Sequence, residues 1–345
     1  MIHFAATRTK LRVFQEYLDG PGASIAPGIS TWDYESVTAM DTLPGGTWIL
    51  ADLDALAPNG MVLAKGMHRA LTEAGCRILN DPGRTLQRLE LLQALHREGI
   101  NSFRAVRAMD DLSVLRFPVF LRGASDHLGP LGDLLRSSEE VARSVAHARA
   151  LAIDPGDLIV VEYEDTSDAA GLFHKFGVLV LGDRAVPQHL FRAPTWMIKS
   201  KRCQLTLEGA LEESAWVQEF EHEAQVRRVL DIAGAEYGRV DYSVGRDGRI
   251  QVWEVNLCPI LGRGEQSGPQ PAPEILEIRS ERAQRSYAMY EDAWRALLAA
   301  SPWAPSVPLE IPMEVRERTR VELAPRTGAA GLVEALRAKA HFSRW

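Results

Sequence analysis

The sequence predicts a mixed fold, an N-terminal α/β lobe followed by α+β structure, and three patterns lead there. Over residues 1–84 short apolar runs alternate with helical periodicity, as when strands are joined by helices into an open parallel sheet. Residues 176–186 and 237–255 each hold two alternating runs around a glycine turn, Gly182-Asp183 in one and Gly245-Arg246-Asp247-Gly248 in the other, which reads as two hairpins. Helical patterns over 213–233 and 274–299 flank the second hairpin.

In the first lobe, residues 2–6 read as a strand, 10–18 as a helix, 47–53 as a buried strand, 61–73 as a helix and 77–79 as a strand that stops at Asn80-Asp81-Pro82-Gly83. Asp52 and Asp54 follow a strand, a place where ligands can bind, although helix-start chemistry or a polar loop is the better reading for isolated acids. Residues 85–98 set Leu86, Leu89, Leu92 and Leu95 on one helical stripe closed by Gly99, with Arg88 between the stripe positions. Residues 117–122 are a short strand ending in Arg122, and the small-residue loop 123–132 suits phosphate through backbone N–H groups, although it matches neither a Walker pattern nor GxGxxG. Ser137 and Glu140 make a capping box for a helix to about 150. Residues 157–164 form a buried strand that turns polar at Glu162-Tyr163-Glu164, offering backbone groups to a purine edge and a carboxylate to a ribose hydroxyl. The run 195–202 is basic. Beyond residue 300, Pro302, Pro305, Pro308 and Pro312 punctuate an extension that ends in a helical pattern over 329–340, packed on the body or presented to a partner.

The second hairpin carries the candidate chemistry. If its turn closes with Val244 facing Arg249, Asp241 lies diagonally across from Glu254 on one face, and Asn256 follows two residues on. The other face then holds Val240, Tyr242, Val244, Trp253 and Val255, and a slip of one residue would exchange the two. Two carboxylates and an amide oxygen suit a hard cation such as Mg²⁺; an edge hairpin with a solvated acidic face is the other reading.

Composition bounds the rest. The 345 residues are 46% hydrophobic and 25% charged and include eight Trp, which excludes a disordered chain. The formal net charge of −7 gives no footprint for nucleic acid or an anionic membrane. Cys76, Cys203 and Cys258 are scattered and odd in number, which points to neither a disulfide framework nor a zinc site. With no signal-like N-terminus and no apolar run near the roughly 20 residues that span a bilayer, a cytoplasmic protein is expected. Tyr287, Tyr290 and Trp294 share one helix and suit either a homodimer interface or the core. Cys258 reads as a packing residue; His189 and Arg263 could contact substrate, but surface or loop roles are the better reading.

Taken in order, these motifs resemble the ATP-grasp superfamily over roughly residues 77–265. The hairpin, Gly238-Arg239-Val240-Asp241, then Asp247-Gly248, then Trp253-Glu254-Val255-Asn256 and Pro259, resembles the metal-binding end of its ligases. Residues 88–100 resemble the early helix whose basic residue contacts phosphate, residues 117–122 the strand that ends in a second basic residue, and residues 160–164 the hinge strand against adenine. The resemblance implies an ATP-grasp fold with two α+β lobes enclosing ATP after the N-terminal lobe, with boundaries at 1–84, 85–160, 161–300 and 301–345. It also implies an ATP-dependent ligase of the glutathione synthetase-like kind, joining a carboxylate to an amine through an acyl phosphate. Asp241, Glu254 and Asn256 would hold Mg²⁺, or Mn²⁺ in its place. Arg88 and Arg122 would hold phosphate, and Glu162, Tyr163, Glu164 and Asp168 the nucleoside. Two departures stand out: arginine replaces lysine at both 88 and 122, and Gly177 stands where many members carry an arginine on the reacting phosphate. Lys175, Lys199 and Arg202, with Arg122, are the candidates to supply that charge. A nucleotide-binding partner without turnover, and a kinase of related fold, are the alternatives.

Overall fold

The computed structural model describes residues 1–126, 129–198, 203, 205–261 and 271–324. They form two compact units, one of Met1–Thr85, Ser167–Ser243 and Trp253–Leu323, the other of Leu86–Thr166 with Val244–Val252.

The first unit begins with β1 (Ile2–Ala6), α1 (Arg8–Leu18), β2 (Ile29–Asp33), α2 (Tyr34–Val37), β3 (Thr42–Leu43), β4 (Thr47–Leu50), α3 (Pro58–Glu73) and β5 (Arg77–Leu79). Four of these strands make the expected parallel sheet, in the order β2-β1-β4-β5. The central strands β1 and β4 are buried throughout, so they read as continuous apolar runs. β2 is a half-buried edge strand rich in Ser30, Thr31 and Asp33, without the apolar alternation that would reveal it. β4 is shorter than the sequence suggests, because Asp52 takes a left-handed conformation (φ 57°) that turns the chain out of the sheet.

The second unit holds α4 (Arg88–Arg97), β6 (Ala105–Arg107), β7 (Val119–Gly123), α5 (Ser138–Ala150) and β8 (Leu158–Glu162). Its sheet is antiparallel, in the order β6-β8-β7, and Val119, Leu121, Leu158 and Val160 pack against Val141 and Ala148 of α5. The cap of α5 differs in one bond from the expected box: Ser137 Oγ accepts from the Glu140 N–H, but Glu140 takes the N–H of Arg136. Within this unit Asn101 binds Val252 through both ends of its amide, at 2.9 and 2.8 Å, and fixes the tip of the long hairpin.

The first unit resumes with β9 (Phe173–Leu181), β10 (Arg184–Ala193), α6 (Leu207–Glu219), α7 (Glu223–Ala233), β11 (Tyr237–Val244), β12 (Ile250–Asn256), α8 (Pro273–Ala299), β13 (Val307–Pro308) and α9 (Met313–Leu323). The sheet order is β10-β9-β11-β12. The single helix expected over 213–233 is two helices, since Phe220 leaves helical geometry (φ −4°, ψ 81°) and the His222 ring that follows bonds the Tyr242 hydroxyl of β11 at 3.0 Å. Gly234, at φ 63°, ends α7 as a left-handed C-cap.

An aromatic core joins the two sheets of this unit. Phe4 stacks on Phe14 at 3.9 Å and meets Tyr237 edge-on, and Trp294 of α8 closes the cluster with Tyr290. Tyr290 and Trp294 therefore belong to the interior rather than to a face offered to a second copy. Asn80, fully buried in the left-handed region (φ 66°), donates to the carbonyls of Leu50 and Tyr237 and accepts from the N–H groups of Glu236 and Tyr237. In the segment after residue 300, β13 pairs with β3 and Arg316 of α9 is buried against the carbonyls of Thr38, Met40, Leu309 and Ile311. The helical pattern at 329–340 lies outside the described residues. No helix among those described is long and apolar enough to cross a membrane.

Candidate active site

The hairpin of β11 and β12 closes one residue away from the expected register. Gly245 N–H donates to Arg249 O and Gly248 N–H to Gly245 O, a three-residue loop with Gly248 at φ 78°, the left-handed position of a bulged turn. As a result Trp253 changes sides. Its indole N–H donates to Ser243 Oγ at 2.9 Å, which puts it on the side of Asp241 and not with Tyr242.

Asp241 is 1% exposed and held by two cations of its own unit. Arg239 Nε donates to Oδ1 at 2.6 Å and Nη2 to Oδ2 at 3.1 Å, while Lys175 Nζ reaches Oδ2 at 3.0 Å. Burial by itself would lower the pKa of the Arg239 guanidinium, but the charge and hydrogen bonds of Asp241, with the charge of Glu254, turn the net shift upward. Asn256 is buried and its Oδ1 accepts the Cys258 N–H at 3.0 Å.

By type these oxygen donors suit a hard cation: a carboxylate offers about four acceptor positions and an amide oxygen two, so the bonds to Arg239, Lys175 and Cys258 leave capacity on Asp241 Oδ1 and Asn256 Oδ1. Among the described residues no three His, Cys, Asp or Glu side chains are grouped to hold a metal ion. Cys258 is buried in the core, and burial pushes its thiol well above the ordinary range, as suits a packing residue.

The position of Gly177 is filled by another side chain. Gly177 pairs with Asp241 on one side and with His189 on the other, so the three share one row of the sheet. A bulge at Gln188 brings His189 into that row, because register shifts between Pro187 and His189. Its ring lies so close to Gly177 that a Cβ there would sit 2.3 Å from Cε1. The expectation of a surface or loop residue is thereby corrected: His189 is a strand residue, 7% exposed, with Nε2 unpaired among the described residues. Burial first, then the charges of Arg239, Lys175, Arg282 and Arg279, hold its pKa well below the ordinary histidine range. Lys199, Arg202 and Arg263 lie outside the described residues. Asp168 shapes its own loop by accepting from the N–H groups of Ala170 and Leu172, bonds that lower its pKa, the Leu172 bond most.

In the second unit the candidate nucleotide residues are engaged with protein. Arg88 Nη1 donates to the carbonyls of Gly123, Ala124 and Asp126 at 3.0, 2.8 and 2.5 Å, so α4 braces the loop after β7. Arg122 is buried on β7. Glu162, one of the candidates for the nucleoside, is fully buried and accepts from the N–H groups of Arg104 and Arg116 and from the Arg116 guanidinium. Glu162 is the last residue of β8, which is buried throughout, whereas Glu164, beyond the strand end, is partly exposed and 3.4 Å from Arg116. Tyr163 N–H donates to Pro118 O, and burial raises the pKa of its phenol.

The residues that sequence reasoning passed over here are Arg239 and His189. Arg239 stands two before Asp241, and that spacing on a strand is the signal that puts them on one face. His189 had no such signal, since a bulge decides its side.

The chain matches no protein-family model, and no curated protein matches it. Among solved structures it is similar to the D-alanine–D-alanine ligase of Bacillus anthracis complexed with ATP, at 13% identity over 87% of this chain and 98% of that one, with a TM-score of 0.48. It is similar to a RimK domain ATP-grasp protein of Sphaerobacter thermophilus, at 13% identity over 84% and 98%, TM-score 0.45. An L-amino acid ligase of Bacillus licheniformis aligns at 10% identity over 74% and 66%, TM-score 0.40.

Proposed function

We propose that the chain is an ATP-grasp ligase that uses ATP and Mg²⁺ to join a small carboxylate to an amine, forming an amide or peptide bond by way of an acyl phosphate. The observation that carries this reading is the buried Asp241 held between Arg239 and Lys175, on the strand beside the one that carries Glu254 and Asn256. A polar row of this kind, buried on a sheet face, gives fixed charges to groups whose own charge changes in the reaction.

Asp241, Glu254 and Asn256 would hold the metal, which when bound offsets phosphate charge. Arg239 and Lys175 orient Asp241 through their hydrogen bonds, and their remaining N–H groups face anionic oxygens of the substrates. Arg122 would serve phosphate, Arg88 the shape of the loop that follows β7, and Glu164 with the hinge backbone the nucleoside. The three cysteines, Cys258 buried and the others half-buried, form no disulfide among the described residues, which suits a cytoplasmic setting.

The test is Glu254→Ala. ATP-dependent phosphate release across a panel of acids and amines should fall to background while circular dichroism stays that of the parent; unchanged turnover would overturn the assignment. A second reading, nucleotide binding without turnover, is favoured by the bonds of Arg88 to loop carbonyls rather than outward. Tight ATP binding with no ADP released across the panel would select it.

A further inference from the structure

The first sheet has a place outside the reading above. β1 has β2 on one side and β4 on the other, so the chain reverses its winding between β1 and β4, and open parallel sheets bind ligands beyond the carboxyl ends of strands at such a point. Thr7 follows β1 there and Asp52 follows β4. Asp52 is 1% exposed, its Oδ2 accepts from Thr7 Oγ1, and its buried Oδ1 has no partner among the described residues. Asp54 and Lys10, both half-exposed, form the rim, and the charges of both act on Asp52. Lys10 Nζ donates to Cys258 O at 3.4 Å. The end of the strand pair thus sets two carboxylates against one ammonium, with a buried acceptor lacking a donor among the described residues. Asp52 N–H donates to Leu257 O, so this place adjoins the strand end that carries Glu254 and Asn256.

We propose that Asp52 is the anchor for the ammonium group of the amine substrate, with Asp54 at the mouth of the same site. A primary ammonium supplies what this place lacks, one positive charge and N–H donors short enough to reach Oδ1. The left-handed backbone at Asp52 is a conformation that a β-branched or bulky residue would hold only under strain, and aspartate tolerates it while aiming its carboxylate inward. The inference rests on the ligase reading for the word substrate, but its test does not use turnover.

Thermal unfolding of the full chain is followed with millimolar glycinamide or ethylammonium, and with tetramethylammonium, which carries the charge without an N–H. The primary amines should raise the midpoint and tetramethylammonium should not. Asp52→Asn, which keeps the shape and tolerates φ 57°, should abolish the rise. Asp52→Gly, which relaxes the backbone and removes the carboxylate, should do the same and guards against a folding artefact. No rise in the parent, an equal rise with tetramethylammonium, an equal rise in both variants, or a rise with Mg²⁺ alone that Asp52→Asn removes would each overturn the assignment. Absence of ATP turnover with these responses intact would overturn the ligase reading and leave the amine site standing.

Discussion

The imidazole of His189 occupies the space that a side chain at residue 177 would need, on the strand beside Asp241. Gly177→Ala should therefore destabilise the protein by about 1–3 kcal/mol, the range for overpacking a filled site. Adding His189→Ala should recover part of that loss, and the double-mutant cycle in chemical denaturation should give a coupling above about 0.5 kcal/mol. Additive losses would mean that the two side chains do not compete for one space.

Asp241 depends on Arg239 more than on Lys175. Arg239→Ala removes two of the three bonds to a carboxylate that is 1% exposed, and should cost about 3–5 kcal/mol in stability. Lys175 is 24% exposed and competes for Oδ2 with any metal. Lys175→Ala should tighten Mg²⁺ binding measured by calorimetry without nucleotide. Weaker binding in that variant would count against Asp241 as a ligand.

Glu162 is a structural acceptor by its contacts. Glu162→Gln should lower stability by about 3 kcal/mol, since it removes the charge that four N–H bonds converge on. ATP affinity, measured by calorimetry on the folded variant, should stay as in the parent. A drop in affinity at an unchanged unfolding midpoint would favour the nucleoside role.

Asp52 should make stability depend on pH. Burial raises its pKa from 3.8 to about 6 in the folded chain, against the hydrogen bond from Thr7. Below pH 3.8 both states hold the proton and nothing is lost. Between there and about 6 the unfolded chain ionises first, so stability falls as pH rises, by about 3 kcal/mol for a shift of that size at 1.36 kcal/mol per unit. Asp52→Asn should remove the penalty: denaturant titrations should find it more stable than the parent at pH 7 and equal to it at pH 3.5. An equal difference at both pH values would reject burial of the charge as the cause.

Much of this architecture was legible because periodicity and burial agree. β1 and β4 are buried on both faces and read as apolar runs, and β9 and β10 announce themselves at Gly182-Asp183. What was not legible depends on single backbone choices. The left-handed Asp52 ends β4 early, Phe220 splits a helix whose periodicity is continuous, and the loop at Gly245–Arg249 shifts the hairpin by one residue. Period-two reasoning cannot foresee that shift, yet it decides which side Trp253 takes. In the candidate site, Asp241 stood out with Glu254 and Asn256 on one hairpin, while its tie to Lys175 needed the pairing of β9 with β11.

Asn80 and Phe4 depend on chain that is synthesised much later. The amide of Asn80 has its partner at Tyr237, 157 residues on, and Phe4 rests on Tyr237 in a core closed by Trp294. A nascent chain paused after β5 would hold a parallel sheet with a wet aromatic face and an asparagine whose amide has only the Leu50 carbonyl to bond. The parallel sheet is thus synthesised before the chain that completes its packing, and is among the last parts of this unit to reach its final contacts.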